Sequence, residues 1–264
     1  RKGYHVVGVS RSGSPRHLDS HYFNKFDVRN GNELRSFLTR NLPDEIYYLA
    51  AHHHSAENKP EQIYKLFENS FEVHVTSLLV ILELMTSVLA SSRLFYAASS
   101  HVFGNASEFP QSEITPFRPS GPYGISKATG VQLCQYFRNE QGVFASCGYL
   151  YNHESPYRSP HFLTRKIVMS AVAIKKRKLD NLKLGNLESV VDWGYAPDYV
   201  EAMNLILKQQ EPDDFIVASG KAHTVKDFVK IVFDNLDLDW KKYVTVDETL
   251  INKQQSQIPL IGNA

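Results

Sequence analysis

Tyr123 and Lys127 lie four positions apart in a stretch, residues 122–140, whose leading proline and apolar spacing predict a helix. Positions i and i+4 share one helical face, about one turn apart. An ammonium beside a phenol favours the phenolate, so Lys127 is expected to lower the Tyr123 pKa from its ordinary value of about 10. Such a phenol can take the proton of an alcohol. Upstream, residues 94–99 read as a strand that ends in Ser99. The Ser99 hydroxyl is expected to hydrogen-bond the same substrate oxygen. Ser99, Tyr123 and Lys127 together suit removal of an alcohol proton while a nicotinamide takes the hydride.

Three side chains so far apart in sequence meet only if the elements around them are layered. Strand-like runs at 4–10, 45–51, 94–99 and 143–150 alternate with helical spacing at 33–40, 60–90 and 122–140. A shorter apolar segment lies near 22–28, after a polar loop at 11–20. Beyond it the pattern continues: helix 162–175, strand 182–184, helix 198–208, strand 215–219 and helix 224–235. Thr224 is placed to cap the last helix, with Asp227 closing an acidic capping box. Strands alternating with helices pair in parallel, which predicts an α/β, doubly wound parallel sheet. Ligands of such sheets bind at the carboxyl ends of the strands, where Ser99 stands. Residues 1–3 read as a helix end with a Gly stop, so the fold is expected to begin upstream of Arg1.

The 264 residues carry 29 Lys+Arg against 28 Asp+Glu, a formal charge of +1. That balance gives no electrostatic reason to expect nucleic acid or an anionic membrane as partner. Two cysteines, Cys134 and Cys147, are too few for a disulfide framework or a structural zinc site. No apolar run approaches the length of a membrane span, and no signal peptide is read. A cytoplasmic setting with reduced thiols is expected.

The chain resembles the extended short-chain dehydrogenase/reductases and, within them, the GDP-mannose 4,6-dehydratases. The resemblance rests on YNHESP at 151–156, LTRKI at 163–167, LGNL at 184–187, DWG at 192–194, DYVEAM at 198–203 and EPDD at 211–214, together with Tyr123 and Lys127. It implies a Rossmann-like, NADP-binding domain over residues 1–150. A smaller part that binds the nucleotide sugar, 151–264, is interleaved with it. It further implies that a tightly held NADP takes hydride from sugar C4 while Tyr123 removes the O4 proton. A base then takes the C5 proton, water leaves from C6 and the hydride returns there. GDP-mannose is the implied substrate, and a homo-oligomer, dimer or tetramer, the implied assembly. Lys127 would hold the nicotinamide ribose, Asn152 the substrate pyrophosphate, and Thr164, Arg165 and Lys166 the nucleotide end.

The cofactor choice has its own argument. The residue after the second Rossmann strand meets the adenosine ribose, and an arginine there accommodates a 2′-phosphate. Arg11 occupies that place with no acid beside it, which favours NADP. Asp27 and Val28 fit the superfamily's adenine contact, and Ala50 and Ala51 the wall beside the ribose.

Other positions depart from the family pattern. The sequence contains no Gly-x-x-Gly-x-x-Gly loop, which elsewhere lets the backbone approach the pyrophosphate. The strand leading into that loop is central in the sheet, so its neighbours are expected to lack a partner. The family also implies a further substrate-binding segment after Ala264. His101 stands where the family has its dehydrating glutamate, His74 where it has an asparagine, and His52 where it has a glutamine. Val190 and Val191 replace basic residues. The run His52-His53-His54 has no carboxylates spaced to complete a metal site, and no metal is expected. These departures leave two alternatives, a nucleotide-sugar 4-keto reductase or epimerase, and a non-catalytic relative that binds nucleotide sugar.

Overall fold

The computed structural model describes residues 3–12, 23–53, 61–250 and 258–264. His54 and most of the loop expected at 11–20 lie outside the described residues. Four apolar runs pair side by side in one parallel sheet: β3 (Glu45–Tyr48), β4 (Arg93–Ala97), β5 (Ala145–Leu150) and β9 (Asp214–Val217), in the order β3-β4-β5-β9. β5 is buried at every position and β4 at all but its first, as a strand covered on both faces requires. The expected α/β parallel architecture is present.

A second parallel pair, β1 (Gly8–Ser10) and β2 (Phe23–Lys25), stands apart as a two-stranded ribbon. Among the described residues no ladder joins it to β3, which pairs only with β4. The strand expected at 4–10 is therefore limited to its last three residues, and Tyr4 and Val6 are exposed.

The helices cover both faces. α1 (Gly31–Asn41) starts on the Asn30 side chain, which accepts from the Glu33 backbone. The long helix expected over 60–90 is α2 (Ile63–Phe71) and α3 (Ser77–Met85), joined by a π-helical turn, Glu72–Thr76. A π-turn takes one more residue per hydrogen-bonded ring than an α-turn and so rotates α2 against α3 about their shared axis. α3 keeps an apolar stripe against the sheet, with Leu78 and Leu82 fully buried. α4 (Pro122–Gln141) ends at Gly142 in the left-handed region, φ 66°. The main core gathers α1, α3 and α4 over β3–β5.

Beyond β5, a three-stranded sheet places β8 (Val190–Tyr195) between β6 (Asn152–Glu154) and β10 (Ala222–Thr224). β7 (Leu182–Leu184) pairs with β11 (Val244–Val246). α5 (Leu163–Lys175) and α7 (Val225–Asp234) enclose a separate small core around Ile167, Val229 and Phe233. α6 (Ala196–Ile206) packs instead on the main sheet beside Phe95 and Val217. The Thr224–Asp227 capping box forms as expected. Among the described residues no helix is long and apolar enough to cross a membrane.

Candidate active site

α4 can lie against β4 because Gly130 has no side chain: a Cβ there would sit 2.2 Å from the Tyr96 hydroxyl. This close approach seats Lys127 at 1% exposure. Its Nζ donates to the Ala97 carbonyl at 2.7 Å and stands 4.9 Å from the Tyr96 ring centroid and 5.9 Å from that of Tyr123. Burial lowers the Lys127 pKa to about 7. Ser99, at the end of β4, is buried, and its hydroxyl accepts from the His101 backbone N–H at 3.3 Å.

The sequence expectation that Lys127 depresses the Tyr123 pKa is not what this geometry gives. Burial raises the phenol, and it is the Ser99 hydroxyl and the Arg158 charge that pull it back. Lys127 lies one turn away as expected, but its ammonium is spent on a carbonyl and is itself destabilised by burial.

Three imidazoles from three segments meet the Tyr123 ring edge-on. His53, on the loop after β3, is 5.2 Å away between centroids. His74, on the π-turn, is 5.3 Å away. His101, just past β4, is 5.7 Å away. His74 is fully buried and locked. Its Nε2 accepts from the His52 backbone N–H at 3.0 Å, so its proton sits on Nδ1 and is donated to Ser126 Oγ at 2.7 Å. Ser126 in turn donates to the carbonyls of Pro122 and Tyr123. Burial drives the His74 pKa down to about 2, so this imidazole is neutral. His101 is exposed at its surface, and desolvation of its ring lowers its pKa.

A chain of contacts leads from Tyr123 to the residues expected to meet the nucleotide sugar. His53 also lies 5.5 Å from Phe162, and the Arg158 guanidinium stacks on Phe162 at 4.0 Å. Arg158 pairs with Glu154 at 3.1 Å, and Thr164 Oγ1 donates to the same carboxylate at 2.6 Å. Thr164 is thus buried and committed to Glu154. Arg165 and Lys166 stand half-buried on the first turn of α5, and Asn152 half-buried on β6 beside Trp193 of β8.

Five of the residues expected at the cofactor, those for its adenosine end, line one cavity of about 330 Å³: Arg11, Asp27, Val28, Ala50 and Ala51; Tyr123 and Lys127, also expected at the cofactor, are not among its lining residues. Arg29, which the sequence did not single out, lines it too. It grips Asp27 with Nη2 at 2.8 Å and reaches Glu72 and Asn69 on the helix behind. This pairing holds the Asp27 carboxyl below its usual pKa. A cavity lined by arginines, a carboxylate and small apolar residues fits the adenosine end of a dinucleotide. Glu154 and Arg158 were also missed; both lie in or beside the 151–156 segment, and their opposite charges four residues apart were the available signal. His53 was visible only as a member of a histidine run. Among the described residues no group of three or more His, Cys, Asp or Glu side chains is placed to hold a metal ion.

Residues 1–261 match the sequence family described as GDP-mannose 4,6 dehydratase. "GDP-mannose 4,6 dehydratase 2" of Arabidopsis thaliana is 38% identical over 266 residues, covering 94% of this chain and 70% of that protein. The Homo sapiens GDP-mannose 4,6 dehydratase is 36% identical, covering 88% of this chain and 66% of its own length. Among solved structures, a UDP-glucose 4-epimerase from Thermotoga maritima with UDP-glucose superposes at TM-score 0.84 and 18% identity, over 99% of this chain and 82% of that one. A dTDP-glucose 4,6-dehydratase from Bacillus anthracis in complex with NAD gives 0.75 and 19%, over 94% and 73%.

Proposed function

The chain belongs to the GDP-mannose 4,6-dehydratase family, and we propose that it converts GDP-mannose to the 4-keto-6-deoxy nucleotide sugar with a bound NADP. The observation that carries this reading is the meeting of Ser99, Tyr123 and Lys127 at the carboxyl end of β4, beside a cavity lined by every residue expected at the adenosine. A nicotinamide, when bound, supplies hydride transfer at C4 and back at C6.

The protein's own groups handle the protons and the grip. Tyr123 takes the proton of O4, with Ser99 donating to the same oxygen. Lys127, anchored on Ala97, holds the nicotinamide ribose. His101 takes the C5 proton as a neutral imidazole, the form its crowded surroundings favour. Arg11 meets the 2′-phosphate, which supports NADP over NAD, while Asp27 and Val28 hold the adenine and Ala50 and Ala51 wall the ribose. Asn152, Thr164, Arg165 and Lys166 serve the nucleotide end, with Thr164 acting through Glu154. Residues 1–150 make the dinucleotide part and 151–264 the substrate part, with β9 returning to the first sheet. The working form is a cytoplasmic homo-oligomer, dimer or tetramer. The buried free thiols Cys134 and Cys147 support the reducing compartment.

His101 in place of a carboxylate favours a second reading, a 4-keto reductase or epimerase that keeps Ser99, Tyr123 and Lys127. Incubation with GDP-mannose separates the two. A 4-keto-6-deoxy product is expected, and a product that retains its C6 oxygen would support the second reading. Denaturing the protein and identifying the released dinucleotide tests the cofactor, with NAD alone refuting the role given to Arg11.

A further inference from the structure

A buried ammonium needs partners, and those of Lys127 are few. At 1% exposure it is almost wholly out of water, and among the described residues its Nζ makes one hydrogen bond, to the Ala97 carbonyl at 2.7 Å. Burial brings its pKa down to about 7, so ammonium and amine are close to balance near neutrality. The titratable groups that face it are Tyr123 and Cys134 from α4, Tyr96 from β4, Cys147 from β5 and His74 from the π-turn. None of them is a carboxylate. Burial raises the two phenols and the Cys147 thiol, and it keeps His74 neutral. What the ammonium does meet is an aromatic face: Nζ stands 4.9 Å from the centroid of the Tyr96 ring, inside the range of about 6 Å over which a ring attracts a cation. That attraction is stronger where both groups are removed from water. The ring is also fixed in place. Tyr48 stacks beside it at 6.2 Å and 14°, its hydroxyl donates to the His74 carbonyl at 3.4 Å, and α4 at Gly130 lies directly against that hydroxyl.

Resting on the reading of Ser99, Tyr123 and Lys127 given above, we infer that Tyr96 is a positioning residue, whose ring face seats the Lys127 side chain as an ammonium beside Tyr123. Fully buried, Tyr96 acts only through Lys127. The ammonium is the form that donates to a ribose hydroxyl while keeping its bond to Ala97, because it carries three N–H donors. The amine form is the better tolerated one in an apolar surround. The ring tips this balance toward the ammonium without introducing a second charge, which a carboxylate in its place would do. Rising pH removes the Lys127 proton, so the contribution of the ring is read on the alkaline limb. A weaker ring lets the proton go at lower pH, and the limb moves down with it. The hydroxyl of Tyr96 has a separate task, at the His74 carbonyl of the π-turn, so ring and hydroxyl can be tested apart.

The test reads Lys127 directly, by NMR titration of the full chain carrying isotope-labelled lysine, with Lys127→Met to assign its signal. Tyr96→Phe keeps the ring and should leave the Lys127 titration within about 0.3 pH unit of the parent. Phenylalanines bearing one, two and three ring fluorines at position 96 keep the shape and weaken the negative face step by step. Each should lower the Lys127 pKa further, by about one unit in all, a tenfold shift toward the amine. The alkaline limb of NADP binding, followed by calorimetry across pH, should move down with it. A Lys127 titration that ignores the fluorines, or that falls as far in Tyr96→Phe as with three fluorines, would overturn the role of Tyr96. So would a binding limb that stays in place while Lys127 shifts. If titration and binding both follow the fluorines but the unaltered chain forms no keto sugar from GDP-mannose, the dehydratase reading has failed and the seat of Lys127 on Tyr96 stands.

Discussion

The two sides of the cleft are built differently. On the α4 side each polar group is tied into the core: Lys127 to Ala97, and His74 to His52 and Ser126, all beneath the fully buried Tyr96. On the cofactor side Arg11, Asp27 and Arg29 ride on and beside a two-stranded ribbon that shares no ladder with the main sheet. The groups proposed for the proton chemistry thus sit in a hydrogen-bonded frame, and those proposed for the dinucleotide end on surface side chains and one ion-pair network. Substitutions on the first side are therefore expected to cost turnover or stability, and those on the second chiefly binding.

The largest effect expected is at Tyr123. Tyr123→Phe removes the proton acceptor and little volume, so turnover should fall by about 10²–10⁴-fold. The urea midpoint should not move, and a variant with near-normal turnover would end the assignment. Next comes His101. Only a neutral imidazole accepts a proton, and burial lowers its pKa below the ordinary value of about 6.5. Dehydration should therefore hold as pH falls past that value and decline only below it. His101→Ala should abolish exchange of solvent deuterium into C5, a measurement by NMR or mass spectrometry. Exchange that persists in the variant would remove His101 from the reaction.

A smaller cost is expected from His74→Leu, which takes the acceptor from the His52 N–H, while Ser126 keeps its bonds to the Pro122 and Tyr123 carbonyls. Each unsatisfied buried polar group costs about 1–3 kcal/mol, so denaturant unfolding should show a loss of that order. An unchanged midpoint would mean that the loop after β3 finds other partners. The smallest effect sharpens the contrast from the other side. Arg11→Asp should leave stability alone and shift dinucleotide preference toward NAD by about tenfold, roughly 1.4 kcal/mol. Calorimetry with both dinucleotides measures it, and an unaltered preference would remove Arg11 from the ribose.

Much of the fold is legible in the sequence because the signals are local. Periodicity and end chemistry place α4, α5 and α7 within a residue or two, and Thr224 with Asp227 fixes a cap. The five cofactor positions converge on one cavity because each follows a strand and parallel strands end on one side. What stays hidden depends on contacts between segments. β6, β8 and β10 are three- to six-residue strands with no alternation to announce them. The Tyr123 pKa follows burial, which spacing cannot reveal. In sequence His53 is one of three adjacent histidines; only the loop after β3 turns it onto Tyr123.

The π-turn at Glu72–Thr76 carries a consequence for variation among relatives. Each residue of an α-helix advances the side chains by about 100°. The π-turn is where one extra residue is taken up, so deleting one inside it would restore an ordinary helix and leave α2 and α3 in their present phase. The same deletion in α2 after Asn69 would not be absorbed: with α3 pinned by its buried leucines, the part before it would swing by that angle and carry Asn69 away from Arg29. A single codon lost in the turn would thus reach the cleft through the seat of His74, while one lost in α2 would reach it through the brace on Asp27.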